Sequence, residues 1–184
     1  IIAGSSDSKT YLFHRSSSIP LWNYTTGGPV YGVAIDSNGN FMAAGGLDDT
    51  LYLFERSSST PLWNFTSGGQ IGDHNFPRSI ALSDNGNYIA MGSHDYSVYL
   101  FEKSSSIPIW NYTTGNEINC VAISGDGSHV VAGSKDMQVY LFYQEVPSTP
   151  NAIPFGNFFI LIAIISIISI ITLRKKHVHL STKN

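Results

Sequence analysis

Short apolar runs alternate with polar turn clusters along residues 1–143. The runs are rich in β-branched and aromatic residues, and the turns include "DSNGN" (36–40), where Asn and Gly tolerate a tight reversal. Runs of about six residues, with turn signals about every 8 to 12, predict an all-β fold. One unit contains four predicted strands: "VYGVAI" (30–35), "FMAAGG" (41–46), "TLYLFE" (50–55) and "PLWNFTS" (61–67).

This unit is repeated along the chain. "SSSIPLWNYTTG" (16–27) returns as "SSSTPLWNFTSG" (57–68) and "SSSIPIWNYTTG" (104–115). The Trp residues lie 41 and 47 residues apart, so one unit carries a six-residue insertion. An Asp also stands four residues before each Tyr-Leu-Phe triplet. The repeat positions are Trp22, Trp63 and Trp110, with Asp7, Asp48, Asp95 and Asp136.

The third predicted strands are continuous apolar runs, "VYLF" at 98–101 and again at 139–142. Such runs are typical of sheets that are covered on both faces. Units of about 40 residues with four strands each predict a β-propeller of antiparallel blades, in which Trp packs between neighbouring blades. About four units are present, so the ring is partial. The chain begins in mid-unit, and we expect either an N-terminally truncated fragment or a ring closed by self-association of two chains.

"VAISGDGSHVVAGSKDMQVYLF" (121–142) resembles the first three strands of a WD repeat, although Leu-Phe replaces the usual Trp-Asp. "IPLWNYTTG" (19–27) resembles repeats of the pyrroloquinoline-quinone (PQQ) propellers instead. The resemblance covers residues 1 to about 143. It implies a WD or quinoprotein-like propeller, a fold that hosts many functions.

The C-terminus has a different composition. "FGNFFILIAIISIISIITL" (155–173) has no charged residue and, as a helix, would span about 28 Å, close to a bilayer core of about 30 Å. It predicts a transmembrane helix that follows a Pro-rich linker (144–154) and precedes a basic tail (174–184). The stop-transfer residues are Arg174, Lys175 and Lys176. The three parts resemble the C-terminal anchors of archaeal surface proteins.

The distribution of charge predicts how this helix is oriented in the membrane. All 13 acidic residues precede residue 150, against six basic residues there, and the four remaining basic residues lie in the tail. The positive-inside rule therefore predicts a single-pass cell-membrane protein with an extracellular propeller and a cytoplasmic C-terminus. An acidic propeller also argues against nucleic acid as a partner.

Three N-glycosylation sequons lie inside the repeated motif, at Asn23, Asn64 and Asn111. Strand alternation places these Asn side chains on the face opposite Trp and Tyr, where they reach solvent. Duplication explains all three at once, so they count as a single indication of a glycoprotein.

Catalytic and metal-binding patterns are missing from the sequence. Cys120 is the single cysteine and stands at a strand position that matches Gly32, so we expect a small buried residue. The histidines are scattered, and no serine lies in a nucleophile motif. We expect no cofactor and no metal.

The insertion falls in "QIGDHNFPR" (70–78) and is the candidate binding loop, because function tends to lie on such loops. A tolerated surface insertion is the alternative. Its candidate residues are Asp73, His74, Asn75, Phe76 and Arg78.

Two classes of function follow. The first is a non-enzymatic, membrane-anchored scaffold that binds a protein or a glycan outside the cell. The second is a PQQ-dependent oxidoreductase whose active site lies in missing blades. The PQQ resemblance implies an axial acid, an Arg, calcium and stacking Trp residues around the ring axis.

Overall fold

The structure is a computed structural model that describes residues 1–73, 75 and 77–144. These residues form an all-β fold, as the sequence predicted. Short strands follow one another with tight turns between them. The strands are β1 (Ile2–Ser5), β2 (Lys9–Phe13), β3 (Pro20–Thr25), β4 (Val30–Ile35), β5 (Phe41–Gly46), β6 (Thr50–Glu55), β7 (Trp63–Thr66), β8 (Ile80–Leu82), β9 (Tyr88–Gly92), β10 (Ser97–Glu102), β11 (Trp110–Thr113), β12 (Ile118–Ile123), β13 (His129–Ser134) and β14 (Val139–Tyr143).

Within the described residues the strands form four antiparallel sheets, each a simple meander. Sheet 1 contains β1–β3, sheet 2 contains β4–β7, sheet 3 contains β8–β11 and sheet 4 contains β12–β14. The innermost strand of each later sheet packs against the preceding sheet, since β4 contacts β1, β8 contacts β5 and β12 contacts β9. This arrangement is that of consecutive propeller blades, with the predicted partial units at both ends of the described chain.

The turn between the first two strands of sheet 2 shows why these hairpins form. The Oδ1 atom of Asp36 accepts hydrogen bonds from the backbone N–H groups of Asn40 (2.7 Å) and Phe41 (3.1 Å). Gly39 has φ +70°, a left-handed conformation that glycine adopts without steric cost. The predicted turn "DSNGN" is therefore present and is stabilised by its own aspartate.

Apolar cores lie between the sheets. One cluster joins sheets 1 and 2 through Leu12, Val30 and Phe54, and equivalent clusters join sheet 2 to sheet 3 and sheet 3 to sheet 4. The sheets approach closely at a repeated glycine. A Cβ atom at Gly92 would lie 2.4 Å from Cγ2 of Ile118, so only glycine fits there without a shift.

Two expectations about sheet 4 were wrong. The run at 139–142 is not covered on both faces, because Val139 and Leu141 are exposed. Cys120 is exposed as well, although its sister Gly32 is buried against Ile80 of the following sheet. The reason is the same in both cases: among the described residues, sheet 4 has no following sheet to cover this face.

The predicted transmembrane helix (155–173), the basic tail (174–184) and all of the linker except residue 144 lie outside the described residues. Within the part that the structure describes, no helix is both long and apolar enough to cross a bilayer.

Candidate binding face

Connections leave the antiparallel sheets at two opposite ends. We call one end the Asp-turn face. It contains the turns between second and third strands and the connections from one sheet to the next: 6–8, 26–29, 47–49, 67–79, 93–96, 114–117 and 135–138. We call the other end the Ser-turn face, which contains the remaining connections: 14–19, 36–40, 56–62, 83–87, 103–109 and 124–128.

The turn aspartates join neighbouring sheets. Asp95 accepts hydrogen bonds from the Tyr99 hydroxyl (2.7 Å), from the Ser97 N–H (2.9 Å) and from the Gly68 N–H (3.0 Å) of the preceding sheet. Asp48 and Asp136 repeat this arrangement with their own Tyr and Gly donors, and Asp7 bonds Tyr11. These carboxylates are structural, because their bonds are used within the sheets and at their junctions.

The hydrogen-bonded tyrosines are correspondingly difficult to ionise. Burial, followed by the hydrogen bond to Asp48, raises the pKa of Tyr52 to about 12. Burial and the hydrogen bond to Asp95 raise the pKa of Tyr99 to about 12 in the same way. Both effects disfavour the phenolate, which would lie beside a carboxylate.

Each repeated Trp lies between two sheets. The ring of Trp22 packs against Phe54 at a centroid distance of 5.3 Å, and its Nε1–H donates to the carbonyl of Arg56 (3.0 Å). Trp63 makes the equivalent contacts with Phe101 and Lys103. Trp110 packs against Phe142 at 4.9 Å.

These positions do not fit a quinone site. A PQQ cofactor needs Trp rings stacked around the ring axis, whereas Trp22, Trp63 and Trp110 lie on the outermost strands and pack on the next sheet. The described residues also contain no group of three or more His, Cys, Asp or Glu side chains placed to hold a metal ion.

The three sequon asparagines lie on the outermost strands β3, β7 and β11. Asn23, Asn64 and Asn111 are all exposed, and in β3 and β7 they alternate with half-buried aromatic residues. Their glycosylation remains a prediction.

The six-residue insertion extends a bulge that the sister sheets also have. Register shifts occur between Val30 and Gly32 in sheet 2 and between Ile118 and Cys120 in sheet 4. The inserted residues 72–77 stand at the matching point of sheet 3. Residues 70 and 71, which precede the insertion, belong to the framework of the sheets rather than to the loop.

Both ends of the loop are held by backbone hydrogen bonds. The Gln70 carbonyl accepts from the His94 N–H (2.9 Å), and the Arg78 carbonyl accepts from the Val121 N–H (2.9 Å). Ile71 is fully buried against Gly45, as Val30 packs against Gly4. The surface loop is thus attached at both ends to a hydrogen-bonded base at the Asp-turn face.

The candidate loop residues have different environments. The side chain of Asp73 accepts the Asn75 N–H (2.7 Å), and Asn75 and Arg78 are exposed. Their predicted companions His74 and Phe76 lie outside the described residues.

Sequence reasoning missed a charged cluster next to this loop. Lys135 binds the carboxylate of Glu117, whose Oε2 lies 3.7 Å from Nδ1 of His94. The hydrogen bond to Glu117, and to a smaller extent the charge of Asp73, raises the pKa of Lys135. An alignment of the units could have indicated this cluster, because the position before the turn aspartate carries Leu47 in sheet 2, His94 in sheet 3 and Lys135 in sheet 4.

One family model, the WD domain or G-beta repeat, matches residues 19–55, 65–102 and 106–142. The chain belongs to the WD-repeat family. The first and third matches span the outermost strand of one sheet and the first three strands of the next, and the second begins within the outermost strand β7. WD-repeat domains are usually non-catalytic scaffolds that bind proteins. No curated protein matches the chain.

Proposed function

We propose that this protein is a non-enzymatic scaffold that binds a partner protein at the Asp-turn face, with residues 72–77 as the principal contact loop. The observation that carries this proposal is the insertion itself. It departs from an otherwise regular repeat, it is flanked by hydrogen-bonded framework residues, and it contains exposed Asn75, with exposed Arg78 directly after it in the chain. A protein partner is preferred to a glycan because the repeats are WD repeats.

The proposal also includes the setting of the scaffold. The uncharged segment 155–173, followed by Arg174, Lys175 and Lys176, supports a single-pass membrane anchor with the repeats outside the cell. The exposure of Asn23, Asn64 and Asn111 is compatible with glycosylation there. Protease treatment of intact cells should digest the repeats and spare the tail, and a glycosidase should increase the electrophoretic mobility.

Site-specific crosslinking tests the binding face. A photo-reactive amino acid would replace Asn75 in the full chain, and in a matched protein it would replace Ser58 on the Ser-turn face. We expect a crosslinked partner protein from position 75 and none from position 58. Equal adducts from both positions would contradict the proposed face.

A deletion of residues 72–77 provides the second measurement. It joins Ile71 to Arg78 as Val30 is joined to Tyr31 in sheet 2, so the fold should tolerate it. The deletion should abolish partner capture, which can be followed with a crosslinker at Arg78. Undiminished capture would show that the loop is a tolerated insertion.

A further inference from the structure

The residue after each turn aspartate has a left-handed backbone. The φ angles lie between 58° and 74° at Ser8, Asp49, Tyr96 and Met137. Gly, Asn and Asp adopt this conformation readily, whereas a bulky side chain is a clear outlier there. The first two copies carry small polar residues, but the last two carry Tyr and Met.

Both bulky side chains leave a large part of their surface exposed. Met137 is 92 % exposed, and Tyr96 is 45 % exposed. Met137 in particular buries almost no surface, so packing does not compensate its backbone strain, and this points to a role outside the fold. Tyr and Met are also residue types that are enriched in protein–protein interfaces.

Positions on this face diverge between copies, whereas the Ser-rich turns on the opposite face hardly change. The Ser-rich turns read "RSSSI", "RSSST" and "KSSSI", which is nearly the same segment three times. On the Asp-turn face, the sister positions before the turn aspartates are Ser6, Leu47, His94 and Lys135. Because the sheets place the same structural demands on each copy, divergence marks side chains that the fold does not specify.

Tyr96 and Met137 belong to one continuous stretch of this surface. The Tyr96 carbonyl accepts hydrogen bonds from the N–H (2.8 Å) and the hydroxyl (2.9 Å) of Thr114. The next residue, Gly115, donates its N–H to Asp136 (2.8 Å), and Met137 follows directly. The two side chains are therefore attached to a hydrogen-bonded connection between sheets 3 and 4.

The face around them is acidic. Its described residues carry seven acidic side chains against two basic ones: the four turn aspartates, Asp49, Asp73 and Glu117 against Arg78 and Lys135. The Ser-turn face is less acidic: its connections carry Asp36, Asp84 and Asp126 against Arg15, Arg56 and Lys103, and exposed Glu55 and Glu102 end β6 and β10 beside them. Complementary charge on a partner would therefore favour the Asp-turn face.

We infer that Tyr96 and Met137 are specificity-determining contacts, which recognise a basic protein segment that carries an aliphatic or aromatic anchor. This inference rests on the proposed function and names the partner's chemistry. The anchor packs on the exposed Tyr and Met, and the Lys or Arg residues of the segment face the surrounding carboxylates.

A phage-displayed library of random linear peptides, selected on the full chain, provides the probe. Selected peptides should be rich in Lys or Arg and should contain an apolar anchor. Tyr96→Asn and Met137→Asn should each weaken their binding by about tenfold or more, the loss typical of a hot-spot residue. Both variants should have an unchanged or higher Tm, because Asn relieves the left-handed strain.

Ser8→Asn is the matched control. It introduces the same residue at the sister position of sheet 1 and should leave peptide affinity unchanged. Acidic selected peptides, or basic ones that bind both Asn variants as tightly as the wild type, would overturn the inference. If the selected peptides still lost binding when residues 72–77 were deleted, the proposed function would stand and the inference about Tyr96 and Met137 would fall. If the library yielded no binding peptide, the inference would fail, and the crosslinking from position 75 would decide the proposed function separately.

Discussion

The same four residues, Val-Tyr-Leu-Phe, occur in β10 and in β14 and have opposite environments. Val98 and Leu100 are fully buried, whereas Val139 is 75 % exposed and Leu141 is 69 % exposed. The backbone is the same in both places, because each run is the third strand of an antiparallel sheet. The difference arises from the neighbour: sheet 4 covers the Val98 and Leu100 face of β10, whereas no described sheet covers the corresponding face of β14.

This difference shows where the stability of the fold lies. Leu100 belongs to the cluster with Ile118, Val121 and Val130, all of which come from the next sheet. A sheet by itself buries little, and each pair of sheets makes its own core. Burial is therefore a property of junctions, and it follows the neighbour rather than the local sequence.

The largest expected contrast comes from truncating the two sister leucines. Leu100→Ala should lower the free energy of unfolding by about 2–5 kcal/mol, because it removes buried methyl groups and leaves a cavity. Leu141→Ala should change it by less than about 0.5 kcal/mol, as at other exposed positions. Urea denaturation of the full chain measures both. Equal losses would mean that another part of the protein covers β14.

A smaller effect is expected at the turn aspartates. Asp95→Ala leaves the Tyr99 hydroxyl and the Gly68 N–H without their acceptor, and it should cost about 1–3 kcal/mol. Asp136→Ala removes the sister bonds on the uncovered sheet, where water can replace them, and should cost less. Thermal unfolding of the two variants tests this order, which would be contradicted by a greater loss for Asp136→Ala.

A third effect concerns alkaline pH. Burial, followed by the bond to a turn aspartate, raises the pKa of Tyr52 and of Tyr99 to about 12, above the ordinary value of 10.0. The fold thus favours the neutral phenol. Its contribution is fully present below about pH 10 and is lost as the pH rises through about 12. Tyr52→Phe with Tyr99→Phe should flatten the loss of stability in that range, measured by circular dichroism.

Tyr143→Phe is the control for the alkaline experiment, because Tyr143 is exposed on β14. It should keep the wild-type profile between pH 10 and 12. If it flattened the profile as much as the paired variant, ionisation at the covered junctions would not be the cause.

Much of the architecture could be predicted from the spacing of strands and turns. The strands of sheet 2 were predicted closely, because Asn and Gly at 38–40 and the apolar runs on either side favour the same hairpin. The inter-sheet position of Trp22 followed from its recurrence in every copy. Local chemistry and repetition were sufficient for these features.

Other features depend on contacts that a single repeat does not contain. Cys120 was expected to be buried because Gly32 stands at its sister position, but Gly32 has a following sheet and Cys120 does not. The left-handed backbone at Tyr96 and Met137 was also missed, since neither residue type indicates it. The placement of the six inserted residues at 72–77 became clear only from the bulge between Val30 and Gly32.

The matched repeats do not coincide with the sheets, and this has a consequence for how such a chain gains further copies by duplication. The first matched repeat, 19–55, contains both Trp22 and Phe54, whose rings pack together although they lie in different sheets. The third, 106–142, likewise contains Trp110 and Phe142. The second, 65–102, contains Phe101 and begins two residues after its partner Trp63. Duplication of a unit with the bounds of the first or the third match would therefore copy a complete coupling between neighbours rather than a free-standing module. Each added copy brings its own nearest-neighbour interaction energy, so the array can lengthen without any new interface having to evolve.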